Sequence, residues 1–205
     1  MKHSIFLLGA ASGAVALAAG AASAAVTASL TDQASVEASL ASFTVEDFES
    51  AAVGNLNQAV PAVFNGFTVT ANGTSGFASD FSIGDLDTQT LNLFAEDVNI
   101  PSFEFTFDSP VDTFAASLFS PQSADGLVFT FSTGDVVTTQ SIGGLNGTGA
   151  NYVSFVSDTP FTSLTISSTF EAVRIDNVVA GLIPAPGAAG LLGFAALASA
   201  RRRRH

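Results

Sequence analysis

The stretch Phe103-Glu104-Phe105-Thr106-Phe107 alternates strictly between an aromatic ring and a polar side chain. A period of two sends successive side chains to opposite faces of an extended chain, whereas a helical period of 3.6 would scatter the same rings around a cylinder. One face is therefore packed and the other is wet. The same parity runs through Leu127-Val128-Phe129-Thr130-Phe131 and Leu164-Thr165-Ile166. Phe, Val and Thr at this spacing predict half-buried strands.

Turn signals punctuate these runs at Asn72-Gly73, Asp85-Leu86-Asp87, Ser109-Pro110, Ser120-Pro121, Asp125-Gly126, Thr133-Gly134-Asp135, Asn146-Gly147 and Asp158-Thr159-Pro160. Between them the pattern predicts ten strands: 44–48, 66–71, 90–93, 102–107, 113–119, 127–131, 136–140, 152–156, 163–167 and 172–179. The pair 127–131 and 136–140, joined by Ser132 to Asp135, is a predicted hairpin. Only residues 25–42 have room for a helix, and Ser35 to Leu40 is weakly compatible with one. The expected fold is all-β, a single antiparallel β-sandwich of jelly-roll type. It spans residues 43–181, preceded by an N-terminal extension over 25–42. Most of the 19 phenylalanines are expected in its core, because those on strands fall on single faces.

Both ends of the chain differ from this middle. Lys2 and His3 precede an apolar stretch from Ile5 to Ala22, and Ala22-Ser23-Ala24 forms a small-x-small cleavage site before Ala25. Residues 1–24 therefore predict a secretory signal peptide, with an uncleaved N-terminal anchor as the competing reading. No cysteine is available for lipidation. At the other end, Pro184-Ala185-Pro186 is followed by small and apolar residues from Gly187 to Ala200 and then by Arg201, Arg202, Arg203 and Arg204. An apolar segment enters lipid while guanidinium groups stay on the cytoplasmic side, so residues 182–205 read as a membrane-stop element. As a helix, Gly187 to Ala200 spans ~21 Å against a hydrocarbon core of ~30 Å. That shortness predicts a transient tether, with a permanent single-span anchor as the alternative.

Setting the ends aside changes the chemistry. All 18 acidic residues lie between Asp32 and Asp176, and Arg174 is the one basic residue of 25–200. A surface of that sign repels polyphosphate and predicts no nucleic-acid partner. Residues 25–200 also lack His, Cys, Lys and Met. Catalysis by Ser-His-Asp or Cys-His needs an imidazole, and tetrahedral zinc needs nitrogen or sulfur ligands. Carboxylate chemistry remains: hard-cation binding, or an Asp/Glu acid-base pair.

The acidic residues fall in three places. Glu46-Asp47-Phe48-Glu49 lies on the first strand of that domain and Arg174-Ile175-Asp176-Asn177 on the last. First and last strands of a jelly roll commonly lie side by side, which would let Glu49, Asp176 and Asn177 offer oxygens to calcium, the one cofactor these residues suggest. The competing reading is solvated edge charge, with Asp176 paired to Arg174 or accepting turn hydrogen bonds. Asp80 to Asp87 reads as a polar loop, since its Asp-x-Asp follows the glycine and lacks the glutamate of a calcium-binding loop. Glu96 and Asp97 read as turn caps. No pair of carboxylates is placed by sequence at the ~5 to 10 Å separation that glycoside hydrolysis needs. The domain is therefore expected to be non-catalytic, with no catalytic residue assigned.

The tail from Ile183-Pro184-Ala185-Pro186 through the Gly/Ala/Leu segment to Arg201–Arg204 resembles the C-terminal sorting signal of PEP-CTERM proteins, exported proteins of Gram-negative bacteria processed by exosortases. Ala185 stands where that family's motif has glutamate. The segments VEDFES at 45–50, FVSDTPFTSLTI at 155–166 and RIDNV at 174–178 are more weakly similar to β domains found ahead of such signals. The resemblance implies export through the inner membrane, transient tethering there, an exosortase-type partner, and final placement at the cell surface or in an exopolysaccharide matrix. It implies no catalysis. The expected role is thus a non-catalytic cell-surface or extracellular-matrix protein associated with biofilm, with anionic exopolysaccharide as its partner. A carbohydrate-binding module and a carboxylate-dependent hydrolase are the alternatives.

Overall fold

The computed structural model describes residues 25–51, 55–56, 61–72, 81–82, 90–93, 102–119, 126–145, 149–168 and 173–184. The expected cleavage residues Ala22 and Ala24, the tail residues Ala185, Pro186 and Arg201 to Arg204, and the acidic positions Asp80, Asp85, Asp87, Glu96 and Asp97 lie outside them. The described chain forms β1 (Val26–Leu30), α1 (Gln33–Ser39), β2 (Ser42–Glu46), β3 (Asn55–Leu56), β4 (Ala62–Phe64), β5 (Phe67–Asn72), β6 (Phe81–Ser82), β7 (Leu91–Leu93), β8 (Ser102–Phe119), β9 (Leu127–Phe131), β10 (Val136–Thr138), α2 (Thr139–Ile142), β11 (Ala150–Ser168) and β12 (Val173–Leu182). Every strand pairing among these residues is antiparallel. The molecule is mostly β, as the alternation predicts.

Two strands organise it. The segments 102–107 and 113–119, separate in the sequence pattern, are one continuous strand, β8; 152–156 and 163–167 are likewise joined in β11. Ser109-Pro110 and Asp158-Thr159-Pro160 do not end these strands but sit at their irregular middles. Between the pairs Val156↔Thr113 and Phe161↔Val111 β11 carries extra residues, and between Phe161↔Val111 and Ser163↔Thr106 β8 carries them. Each strand thus bulges where it holds its proline, which has no N–H to give to a ladder.

The bulges divide the sheet into two halves. One half runs β4-β5, the start of β8, the end of β11, then β9 and β10. The other runs β1, the start of β11, the end of β8, then β12, which carries β2 and β7 along its far edge. Across the bend the inward positions of β8 change from Phe103, Phe105 and Phe107 to Phe114, Ala116 and Leu118. Rings from the two halves then meet: Phe105 lies 5.4 Å from Phe114 and Phe129 lies 4.5 Å from Phe155. Phe107 and Phe131 both contact Phe161 at the bend of β11. These aromatic pairs add edge and offset contacts to the burial of their apolar area.

Residues 25–42, read from sequence as an extension, are tied into the sheet. All five residues of β1 pair with β11, although Val26-Thr27-Ala28-Ser29-Leu30 gave too short a signal to be predicted as a strand. Helix α1 starts at Asp32, whose carboxylate accepts from Ser35 N at 2.9 Å and from Ser35 Oγ at 2.7 Å. It buries Val36 against Ala115 and Val179, with Leu40, Val45 and Tyr152 around them. The helix covers the outer face of the second half.

The predicted hairpin forms as β9 and β10, with Val136 opposite Thr130 and Gly134 at φ 94° in the turn. Its second strand ends earlier than expected, because Thr139 and Gln140 enter α2. A second hairpin, β4-β5, turns through Asn65-Gly66, an Asn-Gly signal that the strand assignment passed over. Gly66 has φ 83°, and a Cβ there would come within 2.8 Å of the Thr44 side chain. Gly181 lets β2 approach β12, since a Cβ would strike the Ser42 carbonyl and come within 2.8 Å of Phe43 Cβ.

Candidate functional site

Strands β2 and β12 lie side by side from Val178↔Glu46 to Leu182↔Ser42, so the first and last strands of the expected domain are neighbours. Their acidic ends therefore meet. Beyond β2 the chain turns tightly, with Phe48 at φ 58°. Glu46 makes this turn: Oε1 accepts from Phe48 N at 2.9 Å and Oε2 from Asn65 N at 3.2 Å. These bonds hold the fully buried Phe48 ring edge-on to Phe64 at 5.0 Å. Asp47 Oδ1 accepts from Glu49 N at 3.2 Å.

On β12 the matching feature is a bulge. Asp176 opposes Ser117 and Val179 opposes Ala115, so two residues of β12 face one of β8. Asn177 occupies the bulge at φ 49°, a conformation asparagine accepts better than most residues. Asp176 Oδ1 accepts from Asn177 N at 2.6 Å, and the residue is only 4% exposed. Burial pushes its carboxyl up to about 6; the Asn177 N–H works against that shift, and the negative charges of Glu49 and Asp47 add to it. The bond from Asn177 N is the turn hydrogen bond that was one of the two expectations for Asp176.

The structure thus brings Glu49 and Asp176 to one end of the sheet, with Asn177 beside them. Among the described residues no group of three or more His, Cys, Asp or Glu side chains is placed to hold a metal ion. The deeper role of Glu46 was not read from the sequence. A glutamate just before a turn, with its two oxygens on two separate backbone N–H groups, gives no linear signature, because Asn65 is distant in the chain.

Other carboxylates fasten turns and the residues that flank β1 and β12. Asp135 Oδ2 accepts from Thr133 Oγ1 at 2.6 Å, and Asp112 accepts from Ile183 N at 2.9 and 3.1 Å through its two oxygens. Asp158 Oδ1 accepts from Ala25 N at 3.0 Å. A groove of about 250 Å³ opens between Phe43, Gly66, Pro110, Val111, Gly181 and Leu182, beside the point where the chain leaves β12 through Ile183 and the exposed Pro184. No helix among the described residues is long and apolar enough to cross a membrane.

No family model matches the chain, and no curated protein matches it. Among solved structures, the catalytic domain of a GH87 alpha-1,3-glucanase in complex with tetrasaccharides aligns at 14% identity and a TM-score of 0.34, over 70% of this chain and 28% of that one. The same domain in complex with nigerose aligns at TM-scores of 0.35 and 0.34 over 29% of its length. The chain spans less than a third of those proteins, and a likeness of this depth carries no argument about activity.

Proposed function

We propose that the chain is an exported, non-catalytic protein of the cell surface or extracellular matrix, whose body is a two-layer β-sandwich of jelly-roll type and whose tail is a PEP-CTERM-like sorting signal. The observation that carries this reading is where the last described strand ends. β12 stops at Leu182, Asp112 fastens Ile183 N to the body, and Pro184 stands exposed as the first residue of the Pro-Ala-Pro motif. An exosortase-type enzyme would thus meet a motif that begins two residues after β12, with the apolar segment and Arg201 to Arg204 following in sequence. The sandwich reading is supported by the rings of the two sheet halves packing on one another. The non-catalytic reading is supported by carboxylates engaged by backbone N–H groups at turns and bulges.

In this role the acidic body would meet anionic exopolysaccharide through cations. Glu49 and Asp176 would supply calcium with carboxylate oxygens, and Asn177 would add an oxygen. Calcium there would also offset the repulsion among Glu49, Asp47 and Asp176. Chelation of native protein is expected to lower its melting temperature; an unchanged value with and without calcium would remove calcium from this account. The sorting reading is tested by mass spectrometry of protein from its native envelope, with and without the processing enzyme. A mature form lacking the peptide that contains Arg201 supports it. Persistence of that peptide in the mature form would replace sorting by a stable anchor.

A further inference from the structure

Ala25, the first residue after the expected signal cleavage site, is tied to the bend of β11 by two hydrogen bonds. Ala25 C=O accepts from Asp158 N at 3.4 Å, and Ala25 N donates to Asp158 Oδ1 at 3.0 Å. The ladder continues directly into Val26↔Ser157 and runs to Leu30↔Val153. Asp158 is itself held in place at the bend of β11. Thr159 Oγ1 donates to the same Oδ1 at 3.3 Å, and Ser157 Oγ donates to Thr159 O at 2.7 Å. A carboxylate oxygen therefore stands ready at the nitrogen that signal cleavage would release.

We propose that Asp158 is a binding site for the α-ammonium group of the mature chain, formed when the Ala24–Ala25 bond is cut. The inference rests on the signal-peptide reading. Hydrolysis breaks that amide bond, with water supplying a hydroxyl to the Ala24 carbonyl carbon and a proton to the Ala25 nitrogen. The new amine takes a second proton from solvent. An amide N–H···O⁻ contact becomes an N⁺–H···O⁻ ion pair, in which the attraction of opposite charges adds to the hydrogen bond. Cleavage thereby adds an ion pair at the residue that leads into the first rung of β1. Capture of a chain terminus by a fixed polar group is an established recognition mode.

The sequence supplies an unusually clean probe. Lys2 is the only lysine and lies in the leader, so the mature chain carries one primary amine, at Ala25. An acylating reagent followed by mass spectrometry reads that group alone. Full-length protein is exported from a Gram-negative host, its mature form purified, and its N-terminus identified by mass. The rate of amine acylation is then measured from pH 6 to 10 for wild type and for Asp158→Asn. The nearby carboxylate favours the charged amine, so the wild-type profile is expected at higher pH by about half a unit, making the wild type about twofold slower near pH 7.5 and roughly threefold slower at pH 6. Far-ultraviolet circular dichroism of Asp158→Asn confirms that it is folded, and Asp158→Glu is expected to restore part of the shift. Identical profiles on chains that begin at Ala25 would overturn the capture and leave the signal peptide standing. A mature chain that begins elsewhere would overturn the capture together with the Ala24–Ala25 cleavage site on which it rests.

Discussion

The two ends of β8 follow different rules although they belong to one strand. From Ser102 to Phe107 only every second residue is buried, with Phe103, Phe105 and Phe107 inside and Thr106 in water. From Thr113 to Ala116 all four residues are buried. The first end has solvent on its outer face. The second has Phe114 and Ala116 in the aromatic core and Ala115 beneath α1 with Val36 and Val179. Alternation is therefore a signature of one-sided burial, and it fades where a helix covers the second side. The small side chain of Ala115 is what lets the helix come close.

The largest expected effect tests what the two ends share. Phe155 contacts Phe114 in its own half and Phe129 and Phe131 in the other. Phe155→Ala should cost about 3–5 kcal/mol in urea unfolding, by lost transfer energy and a residual cavity. A loss confined to local exchange at one half, with global stability kept, would mean the halves do not share a core.

The contrast itself is tested by adding the same bulk at both ends of β8. Ala115→Leu forces a larger side chain under α1 and should cost about 1–3 kcal/mol. Thr106→Leu, at the wet face of the other end, should change stability by less than about 0.5 kcal/mol. Equal effects would deny that α1 covers the outer face.

A smaller effect of opposite sign is expected at Asp176. Its folded-state value of about 6 lies above the ordinary carboxylate value of about 4, so the fold binds the proton more tightly than the unfolded chain. Its contribution to stability therefore falls as pH rises from about 4 to about 6, and the penalty stays in full above that window. In the presence of chelator, Asp176→Asn should gain on the order of 1 kcal/mol at pH 7, after allowance for partial screening by solvent, and nothing below about pH 4. Chemical melts across pH 3.5 to 8 read this directly. A loss at pH 7 in chelator would show that the charge supports the bulge.

The smallest effect is spectroscopic. Tyr152 is the only tyrosine, tryptophan is absent, and its hydroxyl is buried beneath α1 without a protein partner among the described residues. Burial, with Glu37 and then Asp32 adding negative charge, pushes its ionisation upward. Absorbance near 295 nm should show no titration of Tyr152 until alkaline unfolding. Tyr152→Phe should be neutral or stabilising by a few tenths of a kcal/mol, because no bond is lost. Early titration would mean that α1 leaves the sheet readily.

Much of the strand pattern was legible because its signals are local. The rings of Phe103 to Phe107, the Thr133-Gly134-Asp135 turn and the alternation at 127–131 each depend on residues within a few positions. Strand β1 was not legible, since Val26 and Ala28 acquire their partly buried places only against β11, more than a hundred residues away. Prolines 110 and 160 were legible as interruptions but not as bends, because a missing N–H marks a broken ladder without saying whether the strand resumes. At the acidic end, sequence named Glu49, Asp176 and Asn177, and the neighbouring of β2 and β12 brought the two carboxylates to one place. The bulge and the engagement of Glu46 with Asn65 lay beyond it.

Sequence by itself determined the class of this protein: period-two burial selects strands, and a middle without imidazole, thiol or amine leaves carboxylates as its reactive groups. Tertiary structure decided which faces are covered, which strands pass from one half of the sheet to the other, and which carboxylate meets which backbone N–H. The physical reason is range. Side-chain alternation and turn chemistry act over a few residues, whereas burial, the raised Asp176 carboxyl and the fastening of Ala25 by Asp158 exist only after distant segments have been brought into contact.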